Sequence, residues 1–478
     1  MSNNNSRREF LKKLGIGTAA LAVNSRIPAA LAGEFGRKPT KPNIVFILAD
    51  DLGRADLGCY GNNYHETPNI DKLASQGMKF HQAYAAAPVC SPYRAALMTG
   101  QYPARVGITD YMRWESDPLS PDHITIAEMF KRAGYKTGLV GKWHLTGYKD
   151  KGAKSEVFPE EHGFDEAIMW EKVKGDHGFK NWFNDKNEYL TDRLGKEAIN
   201  FIERWKDQPF FLYFSHYAVH TWLGAKGHLI DKYKFKKRTG RYTAGPYRNT
   251  LKVFKEQYVT PHLAANLESL DDTVGMVIDK LDELGLSEDT IIVFTSDNGG
   301  EEFVTSNHPL RAGKSTLYEG GIREPLIVRW PTKVPANTNS DVITSNYDFY
   351  PTLLEAAGIK ADPKQKLDGV SILPALTNPE HKIDRDTFYW HYPLEKKHFL
   401  GGRSSGAIRH KDWKLIEYFD TGEIELYNLI DDVEEKNDLS DTNIQKKEEL
   451  YKMLVDWRKN NNFVIDPSCA NYDPETRN

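Results

Sequence analysis

Two acidic pairs occupy equivalent places in the chain. Asp50-Asp51 closes the near-continuous apolar run from Asn43 to Ala49, and Asp297-Asn298 follows the run from Thr290 to Thr295. Adjacent carboxylates at one strand end repel each other unless a cation neutralises them. These four side chains offer only oxygen, which suits Ca2+ or Mg2+ better than zinc. Taken singly, either pair also reads as a solvated surface turn. Between them lies Pro88-Val89-Cys90-Ser91-Pro92-Tyr93-Arg94, continued by Ala95-Ala96-Leu97-Met98-Thr99-Gly100. By itself Cys90 could be a small buried residue with no chemistry to do. Cationic and titratable groups recur at Lys142, His144, His216, His220 and Lys314. Each of these alone is more often structural than catalytic.

The elements that must position these groups follow from periodicity. Besides Asn43 to Ala49, apolar runs at Phe210–Phe214, Thr290–Thr295 and Pro325–Val328 read as strands buried on both faces. Helical patterns separate them. Thr125 and Glu128 form a capping box, Ile126, Met129, Phe130 and Ala133 share a face, and Gly134 ends the helix. Leu263, Leu267, Leu270, Val274, Val277, Ile278 and Leu281 mark a long amphipathic helix closing near Gly285. This alternation predicts an α/β fold with a largely parallel sheet. In such a sheet, working residues sit beyond the carboxyl ends of the strands, where both acidic pairs fall. After about residue 380 the pattern changes. Ile408, Trp413–Phe419, a turn at Asp420-Thr421-Gly422 and Ile424–Leu429 read as antiparallel strands, followed by a helix over 444–457. The expected division is a main domain over 33–380 and a small C-terminal α+β subdomain over 381–478.

Cys90, Pro92 and Arg94, with the Ala-Ala-Leu-Met-Thr-Gly extension, resemble the signature of the type I, formylglycine-dependent sulfatases, in which the cysteine is oxidised. Tyr93 stands where that family most often has serine. Asp50-Asp51-Leu52-Gly53, Thr67-Pro68-Asn69-Ile70-Asp71, Gly141-Lys142-Trp143-His144, Ser296-Asp297-Asn298-Gly299 and the stretch from Ala312 to Pro325 around Lys314 are similar to further elements of the family. So are Asp412 to Leu415 and Leu426 to Leu429 near the C-terminus. The resemblance implies an alkaline-phosphatase-like main domain and hydrolysis of sulfate monoesters. It implies one Ca2+, ahead of Mg2+, held by Asp50, Asp51, Asp297, Asn298 and the residue at 90. Formylglycine (3-oxoalanine) made from Cys90 by a maturing enzyme would, as its gem-diol, attack sulfur. Arg94, Lys142 and Lys314 would supply fixed positive charge. His220, ranked ahead of His216 and helped by Lys314, would protonate the leaving oxygen, and His144 would take the second gem-diol proton. A phosphoesterase or phosphonate hydrolase of the alkaline-phosphatase superfamily, or an inactive carbohydrate-binding relative, are the competing readings.

Composition bounds the remaining possibilities. Of 478 residues, 40% are hydrophobic and 27% charged, and Lys+Arg of 63 against Asp+Glu of 67 argues against a general nucleic-acid binder. Three cysteines, Cys59, Cys90 and Cys469, are too few for a disulfide scaffold. Ser6-Arg7-Arg8-Glu9-Phe10-Leu11-Lys12, the apolar run from Leu14 to Val23 and Ala30-Leu31-Ala32 read as a twin-arginine signal peptide over 1–32. That predicts handling by the twin-arginine export machinery, delivery to the periplasm or beyond it, and no stable membrane anchor. Ten basic residues crowd Lys226 to Lys255, with Tyr233, Phe235, Tyr242, Tyr247 and Phe254 among them and only Asp231 opposed. This segment, with Lys234, Lys236 and Arg238 as its centre and His391 completing the rim, is expected to bind a sulfated carbohydrate. Ulvan, carrageenan and glycosaminoglycan types all fit that expectation.

Overall fold

A computed structural model describes residues 41–169, 182–184, 186–236, 256–395 and 397–465. The expected leader over 1–32, the basic residues Lys237, Arg238, Arg241, Arg248, Lys252 and Lys255, and Cys469 lie outside the described residues.

The strand β1 (Asn43–Ala49) is buried at every position, which explains why its sequence lacks polar alternation. Its side chains divide between two cores. Ile44, Phe46 and Leu48 pack with Tyr93, Phe130 and Leu353, whereas Val45 and Ile47 pack with Ile70, Leu73, Phe201, Leu267 and Val274. The first set comes from helices α2 (Cys90–Thr99), α3 (Ile126–Arg132) and α7 (Phe349–Ala356). The second comes from α1 (Pro68–Ser75), α4 (Leu190–Trp205) and α6 (Glu256–Glu283). The sheet therefore carries helices on both faces. The remaining strands are β2 (Met78–Tyr84), β3 (Lys136–Gly141), β4 (Glu166–Ile168), β5 (Phe210–Ser215), β6 (Thr290–Ser296), β7 (Arg323–Arg329), β8 (Thr338–Ser340) and β9 (Thr344–Ser345). They run in the order β4-β3-β5-β1-β6-β7-β2-β8, with β9 also on β2. From β4 to β6 all pairs are parallel; β7 is antiparallel to both β6 and β2.

The predicted capping box is present, with Thr125 Oγ1 accepting from Glu128 N at 3.1 Å. The predicted long helix is α6. A second, antiparallel sheet follows, of β10 (Thr387–Tyr392), β11 (Ser405–His410), β12 (Trp413–Tyr418) and β13 (Ile424–Asn428). Leu450, Leu454 and Trp457 of α8 (Ile444–Asn461) cover its Ile408, Leu415 and Leu426. The other face packs Trp390, Ala407 and Ile416 against Tyr84, Val89 and Leu317 of the main body. Beneath that contact Lys414 is fully buried and bonds Glu319 at 2.9 Å and Glu435 at 2.8 Å.

Candidate active site

β1 and β6 are neighbours in register, Ala49 beside Ser296, so both acidic pairs leave the same end of adjacent strands about 4.8 Å apart. Backbone bonds brace the loops that leave this edge. Asp50 N donates to Ala218 O at 2.9 Å, Lys142 N to Ser215 O at 2.7 Å and Asp297 N to Ala49 O at 3.2 Å. Asp51 has φ of +59°, a left-handed geometry that Asp tolerates better than most residues. Asp50, Asp51 and Asp297 are buried to 3% exposure or less.

Cys90 opens α2, whose residues are all buried. One oxygen from each of Asp50, Asp51 and Asp297 and the Cys90 sulfur all lie within 4.8 Å of one another. Asn298 donates its amide N–H to Asp51 Oδ1 at 2.8 Å. Its own carbonyl oxygen Oδ1 is buried without a hydrogen-bond partner among the described residues. Three carboxylates and a spare amide oxygen form a donor set for one hard divalent cation. The residues present fit that ion. Burial pushes the Cys90 thiol up to about 12, so the unmodified side chain is uncharged at neutral pH.

Three cations answer the three carboxylates. Arg94 is fully buried and gives Nη2 to Asp297 Oδ2 at 2.6 Å, with Nη1 to Ser215 Oγ at 2.6 Å and to the Lys142 carbonyl at 3.0 Å. Lys142 Nζ donates to Asp50 Oδ1 at 2.9 Å and Oδ2 at 2.8 Å. Lys314 Nζ donates to Asp51 Oδ2 at 2.6 Å and stands 3.0 Å from His220 Nε2. Burial disfavours the Asp51 charge, but Lys314, His220 and Lys142 outweigh it and hold that carboxyl well below the usual range. Burial, with Asp50 beside it, pushes Asp297 up to about 6. The site is charge-balanced before any ion or ester arrives.

Two histidines complete it. His144 directs Nε2 at the Met112 carbonyl, 3.0 Å away, which places the proton on Nε2. Its Nδ1 is buried with no partner among the described residues. Burial, then Lys142 and Arg94, hold the ring well below its ordinary pKa, so it is a neutral acceptor. His220 Nδ1 contacts the Thr221 carbonyl, turning Nε2 toward Lys314. His216 goes elsewhere: its Nε2 is 3.2 Å from Thr273 Oγ1 on α6.

A cavity of about 320 Å³ opens over these groups, lined by Cys90, Lys142, His144, His220 and Lys314. Its lining also contains residues absent from the sequence-based expectations: Tyr111, Arg113, Trp114, Tyr148, Glu301, His398 and Phe399. Only the cluster of aromatic and basic residues at Tyr111 to Trp114 carries a signal that could have marked them. His391 does not line the cavity, which corrects its expected place on the rim. Its ring stacks on Phe463 and its Nε2 meets the Val464 carbonyl at 3.1 Å. The β10–β11 connection instead sends His398 and Phe399 to the cavity. Lys234 and Lys236 also lie away from it, on or beside α5 (Gly227–Phe235). Lys234 pairs with Asp231 at 3.0 Å and Lys236 with Glu66 at 2.7 Å. Glu66, distant in sequence, offsets charge that looked unopposed.

Residues 42–359 match the family model described as Sulfatase, and residues 312–460 match N-sulphoglucosamine sulphohydrolase, C-terminal. The chain is 33% identical to the N-acetylgalactosamine-6-sulfatase of Rattus norvegicus over 391 residues, 74% of this chain and 68% of that protein. It is 33% identical over 485 residues to a sulfatase of Formosa agariphila, covering 84% of each chain. Among solved structures, Ps i-CgsB in complex with k-i-k-neocarrahexaose has a TM-score of 0.75 and 30% identity, covering 91% of this chain and 96% of that one.

Proposed function

Because the chain belongs to the sulfatase family and is a sulfuric ester hydrolase, we propose that it removes sulfate from a sulfated polysaccharide or its oligosaccharides through formylglycine made from Cys90. The gathering of Asp50, Asp51, Asp297 and Cys90 within 4.8 Å carries this reading. The carbohydrate class is supported by a relative named N-acetylgalactosamine-6-sulfatase and by a similar structure solved in complex with a neocarrahexaose.

Asp50, Asp51, Asp297 and the free oxygen of Asn298 would hold one divalent cation, Ca2+ ahead of Mg2+, beside residue 90. Once bound, that ion withdraws charge from the sulfate oxygens and from the nucleophile. The hydrated aldehyde at position 90 supplies a strong oxygen nucleophile where the thiol supplies none. Lys142 and Lys314 line the cavity next to Cys90, so they hold the ester's peripheral oxygens and favour the charge that grows there. The α2 amino terminus adds its positive dipole end at the same place. Lys314 Nζ and His220 Nε2, 3.0 Å apart, share the proton that the departing sugar oxygen needs. His144 Nδ1, with its lone pair free, accepts the proton whose loss from residue 90 restores the aldehyde and frees sulfate. Overall, water and ester give alcohol and sulfate.

The sequence 6–32 supports folding in the cytoplasm and export by the twin-arginine route to the periplasm, as a main domain over 33–380 with a C-terminal subdomain over 381–478.

Peptide mass spectrometry of residue 90 from the native host, paired with sulfate release from carrageenan and glycosaminoglycan oligosaccharides, tests the proposal. Exchange of the Cys90 sulfur for oxygen, with turnover lost in Cys90→Ala, is the expected pair of results. An unmodified thiol in fully active protein, or an active Cys90→Ala, overturns it.

A further inference from the structure

The lining of the cavity also contains a stack that catalysis does not use. The Arg113 guanidinium lies over the Tyr111 ring, 4.4 Å from its centroid. The same ring makes a T-shaped contact with His398, with centroids 5.3 Å apart. His398 is 7% exposed and its Nδ1 accepts from Leu400 N at 3.2 Å. That bond fixes the ring, and through it Tyr111, as a backing for Arg113.

Arg113 differs from the other cations of the cavity. Lys142 and Lys314 are buried beside Cys90, each paired with a carboxylate, Asp50 and Asp51. Arg113 has 51% of its side chain exposed, and its ion pair with Asp110 is long, at 3.5 Å. Such an exposed, loosely held pair contributes little and yields readily to a better partner. The same cavity is lined by Trp114, packed edge-on against Tyr148 at 5.2 Å, and by Phe399, 76% exposed. These flat apolar faces beside a planar, two-pronged donor suit a sugar ring that carries an anionic substituent. The size agrees, because about 320 Å³ is at the small end of ligand sites, roughly 300–1,000 Å³.

Resting on the sulfatase reading above, we propose that Arg113 is a specificity-determining residue. It binds a second anionic group, sulfate or carboxylate, on the sugar whose ester is cleaved. The substrate is then doubly anionic in one ring, and Arg113 selects it over the singly sulfated sugar.

The experiment measures sulfate release by the metal-loaded, matured enzyme and its Arg113→Ala and Arg113→Lys variants. The probes are a hexose monosulfate, a hexose disulfate, a monosulfated hexuronic acid and 4-nitrophenyl sulfate. Wild type prefers one doubly anionic sugar over the monosulfate, and Arg113→Ala lowers that ratio of kcat/KM roughly 10–100-fold, the worth of a charged hydrogen bond. The loss falls on KM, and Arg113→Lys keeps part of the preference. Collapse on the disulfate identifies a second sulfate; collapse on the uronic acid identifies a carboxylate. An unchanged ratio in Arg113→Ala, or no wild-type preference, overturns the subsite while leaving the sulfatase reading intact. No release by wild type from any probe, 4-nitrophenyl sulfate included, overturns both.

Discussion

Replacing Arg94 with methionine removes one of the three cations that balance Asp50, Asp51 and Asp297 while keeping much of the side-chain volume. Asp297 then loses its 2.6 Å partner, and Asp50 loses a guanidinium at 3.5 Å. All three groups are fully buried, so water cannot take over. Removing one partner of a buried pair costs about 3–5 kcal/mol. Arg94→Met should therefore lose about that much stability in the presence of a chelator. Calcium changes the outcome in a calculable direction. The variant site carries one more net negative charge than the native site, so a divalent ion is drawn in more strongly. Ligand stabilisation grows as RT ln(1 + [L]/Kd) and reaches about 4.1 kcal/mol at 1,000 times Kd. The gap between variant and wild type should narrow as calcium rises. Urea unfolding followed by fluorescence of the 10 tryptophans, in EDTA and across a calcium series, reads both quantities. Equal stability in EDTA would refute the charge-balance argument, and a gap that widens with calcium would refute its electrostatic sign.

Three further outcomes follow from the same geometry. Glu324 is buried with both carboxyl oxygens unpartnered among the described residues, and burial, then Asp297 and Asp51, raise its pKa well above the usual value. A carboxyl raised on folding contributes most below its unfolded pKa and loses that contribution as pH rises, so Glu324→Gln should gain on wild type by up to about 1.4 kcal/mol per pH unit above pH 5 in melting experiments; parallel curves would contradict this. Gly141 has φ of +109°, and a Cβ there would sit 1.8 Å from the Ser215 carbonyl, so Gly141→Ala should displace Lys142 and lower both folded yield and kcat. Full activity in that variant would show that the β3–β5 edge yields. Chelation should abolish sulfate release and calcium should restore it, whereas restoration by zinc alone would contradict a site built only of hard oxygen ligands.

The elements that hold the chemistry were legible because burial on both faces leaves an unmistakable run. β1, β5, β6 and the centre of β7 were visible in this way, as were the cap at Thr125 and the stripe that became α6. β2 was not, because Met-Lys-Phe-His-Gln-Ala-Tyr lies at the less buried side of the sheet and mixes polar with apolar positions. The placement of Asp50, Asp51, Asp297 and Asn298 followed from strand ends alone. His398 was hidden because it sits on the aperiodic connection between β10 and β11, and Arg113 was marked only by the aromatic and basic residues around it. The basic segment misled for a related reason. Composition counts the charges of Lys232 and Lys236, but not Glu66 and Glu268, which reach them through the fold.

The burial of Cys90 has a consequence for the order of events during synthesis. The side chain is 2% exposed, and part of what encloses it is made late: Asp297 follows β6, which starts at Thr290, and Lys314 is later still. A ribosome adding about 5–20 residues per second takes roughly 10–40 s to travel from codon 90 to codon 290. Throughout that interval the thiol lies on a chain that cannot yet close over it. Under the proposed conversion of Cys90, an oxidising enzyme that needs to grip the residues around it would have this window and the short search for the native state that follows. Any change that speeds closure, or slows that enzyme, would then leave a correctly folded protein with sulfur sealed in its active site. On the proposed conversion of Cys90, the specific activity of a preparation would be set partly by a race on the ribosome, and folding quality alone would not report who won it.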